Sequence, residues 1–151
     1  MIDEQILEDI LLSHKSLSEP NWSFVLTRAN KDTHRSTIDA IGSLCSVVDT
    51  TDINYDRGVM LAIEETSPQI AINLSFAGRY ACVYGFHGEF YSLSDLGNLP
   101  LGSQLIGILE RERFRILDQE QLTQRIILGE KSRTLYQVLF SDDGYDEDDD
   151  G

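Results

Sequence analysis

Few side chains in this sequence could do acid–base, metal or nucleophilic chemistry: 151 residues include three histidines and two cysteines. His14, His34 and His87 lie in three separate segments, so a catalytic triad or metal site would require long-range convergence. Cys45 and Cys82 are also far apart and lack the spacing of zinc ligands. These five residues predict no metal site, and the cysteines are interpreted as buried thiols of a cytoplasmic chain.

Cys82 and His87 are the closest pair of this kind. Cys82 lies within an apolar run that predicts a core strand, where a cysteine acts as a small buried hydrophobe. His87 and Gly88 follow this run and form its predicted turn, since histidine tolerates the left-handed conformation that a tight turn can require. We therefore expect His87 to point to solvent rather than act as a base.

Two further patterns lack a necessary part of a catalytic motif. Residues 102–107 have the glycine spacing of a P-loop, but Ile108 and Leu109 stand where lysine and serine or threonine are required. Glu64 and Glu65 are adjacent, so in a strand or turn they point apart and cannot share a proton. We predict a protein that is not an enzyme and that holds no cofactor and no metal.

The formal net charge is −14, from 26 acidic and 12 basic residues. Seven of the acidic residues lie in 142–150, so residues 1–141 keep 19 acidic against 12 basic ones. Such a charge disfavours binding to nucleic acid or to an anionic membrane surface. No apolar run approaches the roughly 18–20 residues of a membrane helix, and residues 1–5 are acidic where a secretory signal is basic. Both observations predict a cytoplasmic protein.

The acidic charge predicts a basic protein partner, because it steers a cationic surface towards the chain. In the tail, tyrosine among carboxylates would act as an aromatic anchor on a surface that mimics a phosphate strand. The residues predicted to bind the partner are Asp142, Asp143, Tyr145, Asp146, Glu147, Glu64 and Glu65. A purely solubilising role is an equally good interpretation of the tail.

The first third of the chain predicts helices with one strand between them. Residues 2–17 place isoleucine and leucine at three- and four-residue spacings, which is typical of an amphipathic helix. Residues 22–27 alternate apolar and polar side chains, which predicts a short strand. Residues 33–48 favour a helix capped by Asp32 or Thr33, although their serine, threonine and valine content leaves a strand open.

Beyond residue 58 the period of the apolar residues changes to two. Strands are predicted over 59–63, 70–76 and 80–86, and a further short run covers 89–93. Turns of two to four residues separate these runs. Connections this short predict an antiparallel meander rather than parallel crossovers.

The last third predicts two more helices. The first begins near Pro100 and ends at Glu112, and residues 114–117 form a short strand or extended link. Asp118 caps the second helix, which Gly129 ends. Residues 134–140 fit either a strand or a helix. The expected fold is α+β: a single domain over 1–141, with a mainly antiparallel β-meander sheet packed with amphipathic helices, followed by a flexible acidic tail over 142–151.

This order of elements, with a segment 105–117 that reads LIGILERERFRIL, resembles small immunity proteins of bacterial polymorphic-toxin and contact-dependent growth inhibition systems. The resemblance implies a cytoplasmic, non-enzymatic protein that neutralises one cognate toxin by covering its active site. A nuclease toxin would suit the charge, because its cleft is built to hold phosphates. The alternative function is a secretion chaperone that binds an effector segment as a homodimer.

Overall fold

The computed structural model describes residues 2–64, 69–85 and 88–142. Within these ranges the chain forms seven helices and seven strands. In chain order they are α1 Glu4–His14, α2 Ser23–Asn30, α3 Arg35–Leu44, β1 Val47–Asp49, β2 Gly58–Ile63, β3 Ile70–Ser75, β4 Tyr80–Gly85, α4 Leu93–Gly97, α5 Gly102–Arg111, β5 Arg115–Ile116, α6 Gln119–Leu122, β6 Arg125–Leu128, β7 Lys131–Thr134 and α7 Leu135–Leu139.

The main sheet has five strands in the order β1-β2-β3-β4-β5. Neighbouring strands are antiparallel from β1 to β4, so the α+β class and the mainly antiparallel meander are confirmed. The last pair is parallel, with Tyr80 opposite Arg115. The meander prediction did not include this pair. It forms because α4 and α5 carry the chain across between the two strands, as a parallel pair requires.

One hydrophobic core joins the sheet and the helices. Nearly every residue of β2, β3 and β4 is buried, which fits a sheet covered on both faces. Helix α1 contributes Ile6 and Ile10, and the short α7 contributes Leu135 and Leu139, all at most 1% exposed. The helical prediction over 2–17 is confirmed, and no helix in the described ranges is long and apolar enough to cross a membrane.

The prediction of a strand over 22–27 is wrong, because these residues begin α2. Phe24 and Val25 are buried at adjacent positions, whereas Leu26 is 54% exposed. Burial therefore follows one side of a helix and does not alternate. Three apolar residues at a spacing of two predict a strand, but Trp22 precedes the helix as its N-cap and Leu26 is exposed, so this alternation does not mark a buried face.

The segment 33–48 is a helix over Arg35–Leu44, which confirms the favoured interpretation. Neither Asp32 nor Thr33 caps it, so that prediction is wrong. His34 occupies the N-cap position without a side-chain cap. Asp32 adopts a left-handed conformation, with φ of 54°, and pairs with the side chain of Arg35 at 2.8 Å instead.

The helix predicted from Asp118 to Gly129 is wrong beyond its first turn. Asp118 does cap α6, accepting a hydrogen bond from the Gln121 amide at 3.0 Å, but the helix ends at Leu122. The chain then forms the antiparallel hairpin of β6 and β7. Gly129 and Glu130 have φ of 63° and 66°, the two left-handed residues of a type I′ turn, so Gly129 turns a hairpin and does not end a helix.

Residues 89–93 do not form the short extended run that was predicted for them. Phe90 makes only an isolated bridge to Tyr84, and α4 begins at Leu93 with Ser92 as its cap. The helix from Pro100 is confirmed as α5, and the extended segment after it is β5. The open segment 134–140 is α7, which Thr134 caps.

Candidate functional site

A cavity of about 530 Å³ opens beside the sheet, where the loop before β2 meets β4, α6 and α7. This volume lies in the range of small-molecule and side-chain pockets. Two carboxylates and three aromatic rings line it, together with several neutral polar groups. The residues that define its chemistry are Asp52, Asp56, Tyr84, Phe90, Arg125, Tyr136 and Ser141.

The aromatic side of the cavity is a chain of rings in contact. Phe90 meets Tyr84 edge to face, with ring centroids 6.0 Å apart, and meets Tyr136 at 5.1 Å. The Asn73 amide donates to the Tyr136 hydroxyl at 3.2 Å. Burial raises the pKa of Tyr136, so its phenol stays protonated at neutral pH. These side chains form an uncharged wall of aromatic rings and hydroxyl groups.

The acidic side is built around Asp56, which is 5% exposed. Its carboxylate accepts hydrogen bonds from the Asp52 amide and from the Ser141 hydroxyl, both at 2.7 Å. Asp52 itself is exposed, and its carboxylate accepts a hydrogen bond from the Asn54 amide in a local turn at 3.0 Å. Asp56 therefore fixes the loop, while Asp52 presents a negative charge to solvent at the cavity.

Arg125 is the only basic residue among the described residues that line the cavity. Its guanidinium donates to the hydroxyl and the carbonyl of Ser132, at 2.9 and 3.1 Å, across the β6–β7 hairpin. Within the described residues Asp52 forms no ion pair. The described lining thus holds two carboxylates, of Asp52 and Asp56, against one guanidinium, which gives the cavity an acidic character.

Asp142 lies at the start of the predicted acidic tail, but it is not fully solvated. Its carboxylate pairs with Arg57 at 3.6 Å, and its side chain is 18% exposed. Its amide donates to the Tyr55 carbonyl at 3.0 Å. The prediction of a flexible tail from residue 142 is therefore wrong at this residue, because Arg57 provides a partner from the folded body.

Glu64 is exposed at the end of β2, and its amide donates to the Ser46 carbonyl at 3.3 Å. It does not line the cavity. Asp142 directly follows the cavity residue Ser141 in the chain, whereas Glu64 lies away from the cavity. The other residues predicted to bind a partner lie outside the described ranges and stay predictions: Glu65, Asp143, Tyr145, Asp146 and Glu147.

Arg57 also stacks on Trp22, with its guanidinium carbon 4.1 Å from the ring centroid. His14 packs edge-on against the same ring at 4.4 Å and is 1% exposed. Burial and the nearby Arg57 and Arg133 lower the pKa of His14 to about 4, only partly offset by a backbone contact at Asn21. His14 is therefore neutral at pH 7 and acts as a core side chain.

Two further candidate groups, His34 and Cys82, are also buried. The His34 Nε2 atom donates to the Ser75 carbonyl at 2.7 Å, and burial lowers its pKa. Burial raises the pKa of the fully buried Cys82 thiol, so the expected buried hydrophobe is confirmed there. His87 lies outside the described residues. Among those described, no group of three histidine, cysteine or carboxylate side chains could hold a metal ion.

Sequence reasoning missed the cavity. The sequence analysis predicts no role for the polar residues 49–52, and it places the aromatic residues of the wall in separate strands or in the open segment 134–140. One usable signal was the density of aspartate between residues 49 and 56. That density could not indicate that Asp56 is buried, because its hydroxyl partner Ser141 is 85 residues away.

No protein-family model, no curated protein and no solved structure matches this chain. The resemblance to immunity proteins therefore stays a prediction. The proposals below rest on the chemistry of the cavity and on the charge of the chain.

Proposed function

We propose that this chain is a non-enzymatic protein-binding module of the cytoplasm that captures a basic partner. The observation that carries the proposal is the cavity: exposed Asp52 and buried Asp56 line it together with three aromatic rings, and these two carboxylates stand against one guanidinium, that of Arg125. Such a site is complementary to a cationic side chain.

The net charge supports the same partner class. An acidic surface raises the association rate of a cationic protein by about 10- to 1,000-fold at low ionic strength. Within this class of basic proteins, we propose that the partner is a cognate toxin, which the acidic chain excludes from its substrate by covering its active site. A nuclease toxin fits best, since a cleft that holds phosphates also attracts carboxylates.

The state of the potential catalytic groups supports binding rather than catalysis. His14 and His34 are buried, and burial lowers the pKa of both, which favours their neutral forms. Cys82 is fully buried with a raised pKa, which disfavours the reactive thiolate. None of the three lines the cavity. A cavity with carboxylates and rings but without these groups is better suited to holding a side chain than to transforming a substrate.

The test is co-expression with the protein encoded by the neighbouring upstream reading frame. We expect this chain to restore growth of cells that the neighbour kills, and to form a stable complex with it whose association rate falls as salt is raised. Purified proteins in stopped-flow experiments at 20 to 300 mM salt give the rate. A neighbour that remains toxic and unbound in the presence of this chain contradicts the proposal.

A secretion chaperone is the second candidate, and the exposed apolar residues of the first helices favour it. Leu11 and Leu12 on α1 are 44% and 69% exposed, and Leu26 on α2 is also exposed. Such residues suit a dimer interface or an unfolded effector segment. Light scattering separates the two candidates: a chaperone is a homodimer holding an extended chain, whereas an immunity protein can be a monomer bound to a folded domain.

A further inference from the structure

We propose that the cavity receives an arginine side chain of the partner. This inference rests on the proposed function in one respect, namely that the partner is a basic protein. It goes further in naming the group that is recognised and the residues that hold it: Asp52 as the ion-pair partner, and Tyr84 and Phe90 as the rings against which the guanidinium packs.

The aromatic wall suits a guanidinium because a planar cation is attracted to the face of a ring. Tyr84 and Phe90 are both partly exposed where they line the cavity, so a ligand can reach them. The fold already uses the same contact elsewhere. Arg57 stacks on Trp22 at 4.1 Å, and Arg79 lies over Phe114 at 5.2 Å.

The charges around the cavity favour a cation. Arg57 attracts both Asp56 and Asp142, so one positive charge is shared between two carboxylates. Asp52 is a third carboxylate with no ion pair among the described residues, and Arg125 is a second cation because its hydrogen bonds to Ser132 leave its charge in place, so three carboxylates stand against two guanidinium groups. An incoming guanidinium would therefore meet an excess of negative charge beside an uncharged aromatic wall.

Arginine fits the polar groups better than lysine. Its guanidinium carries five N–H donors in a fixed plane and can bond a carboxylate in a bidentate manner while one face packs on a ring. The cavity offers acceptors in Asp52 and the hydroxyl groups of Thr50 and Ser141, and aromatic rings line it as well. An ammonium group would use the carboxylate but would gain less from the planar wall.

The experiment uses the intact chain and a probe that does not depend on the partner. Nα-acetyl-L-arginine amide is titrated into isotopically labelled protein, and the amide resonances are followed by NMR. The control ligand is Nα-acetyl-L-citrulline amide, which has nearly the same shape but no charge. We expect the arginine probe to shift resonances around Asp52 and Phe90 and to bind about tenfold more tightly than the citrulline probe.

Variants identify the groups responsible. Asp52→Asn removes the exposed charge but keeps the backbone amide that donates to Asp56, so the loop stays intact. We expect it to weaken binding of the arginine probe by about twofold to fivefold. Phe90→Leu removes the ring and is expected to weaken binding by a similar factor. Glu110→Gln on α5 removes the same charge at an exposed position outside the cavity and is the matched control.

Equal binding of the two probes, or equal binding to wild type and to both cavity variants, overturns the inference. If the cognate partner binds Asp52→Asn as tightly as wild type and the probe causes no shifts at the cavity, the arginine site is wrong while the proposed function stands. If the arginine probe binds at the cavity but the chain binds no basic protein, the site stands and the proposed function is wrong.

Discussion

The guanidinium group of Arg57 lies 3.6 Å from the carboxylate of Asp142 and joins the start of β2 to the beginning of the acidic segment. A second contact reinforces this connection, because the Arg57 amide donates to the Phe140 carbonyl at 2.6 Å. The same guanidinium group also packs on the ring of Trp22. One arginine therefore ties together the segment before α2, the sheet and the end of α7.

Removing the charge of Asp142 should destabilise the fold. We expect Asp142→Asn to lower the free energy of unfolding by about 1–2 kcal/mol, because Arg57 is partly buried and loses an ionic partner. Urea unfolding at low salt measures the change. Glu110→Gln removes an exposed carboxylate and should stay within about 0.5 kcal/mol of wild type. If both variants lose the same stability, the Arg57–Asp142 pair contributes nothing specific.

His14 should make the fold sensitive to acid. Its pKa is about 4 in the folded chain against 6.5 for a free imidazole, so between these pH values protons bind preferentially to the unfolded chain. The contribution of neutral His14 to the free energy of unfolding is fully present above pH 6.5. About 2–3 kcal/mol of this free energy is lost as the pH falls towards 4.

The variant His14→Leu isolates this effect, since it removes the imidazole from an apolar site beside Trp22 and Phe24. Urea unfolding of wild type and variant is compared from pH 7 to pH 4.5. We expect the variant to lose less stability than wild type over this range, while the carboxylates affect both proteins alike. Parallel curves would show that His14 does not carry the acid sensitivity.

Substitutions at the two residues of the β6–β7 turn, Gly129 and Glu130, should change the stability of the fold in opposite directions. A side chain on Gly129 would be strained by its φ of 63° and would lie 2.9 Å from the ring of Pro20. We expect Gly129→Ala to cost about 1–3 kcal/mol. Glu130→Asn should gain about 0.5–1 kcal/mol, because asparagine tolerates the left-handed conformation better. Thermal unfolding checks both, and equal shifts in one direction would contradict the turn assignment.

Neither cysteine should react in the native protein. Cys45 and Cys82 are both buried, and burial raises the pKa of the Cys82 thiol. We expect Ellman's reagent to modify neither thiol in buffer within the time of the assay, and both in concentrated guanidinium chloride. A thiol that reacts in the native state at the rate of a free cysteine would place it at the surface.

The parts of the fold that could be predicted depend on local patterns. In β3, Ile70, Ile72 and Leu74 alternate with smaller or polar residues over six positions, long enough to identify a strand. The alternation at Trp22, Phe24 and Leu26 covers only three apolar residues, too few to distinguish a strand from the beginning of a helix. The choice there depends on distant partners, among them Arg57, which covers the indole.

The candidate site was harder to predict because its groups come from distant parts of the chain. Asp56 and Ser141 are linked by a hydrogen bond across 85 residues, and Tyr136 reaches Asn73 across 63. Composition did indicate an acidic character. It could not indicate that Asp52 lies at a cavity, nor that the first residue of the acidic segment is held by an arginine.

The late position of α7 has a consequence for synthesis on the ribosome. Leu135, Val138, Leu139 and Phe140 are fully buried, and they close the core around strands that are translated some 50 to 80 residues earlier. A nascent chain therefore exposes the apolar side chains of these strands until α7 emerges. We expect this protein to complete folding only when translation has passed α7, and to need protection from aggregation until then.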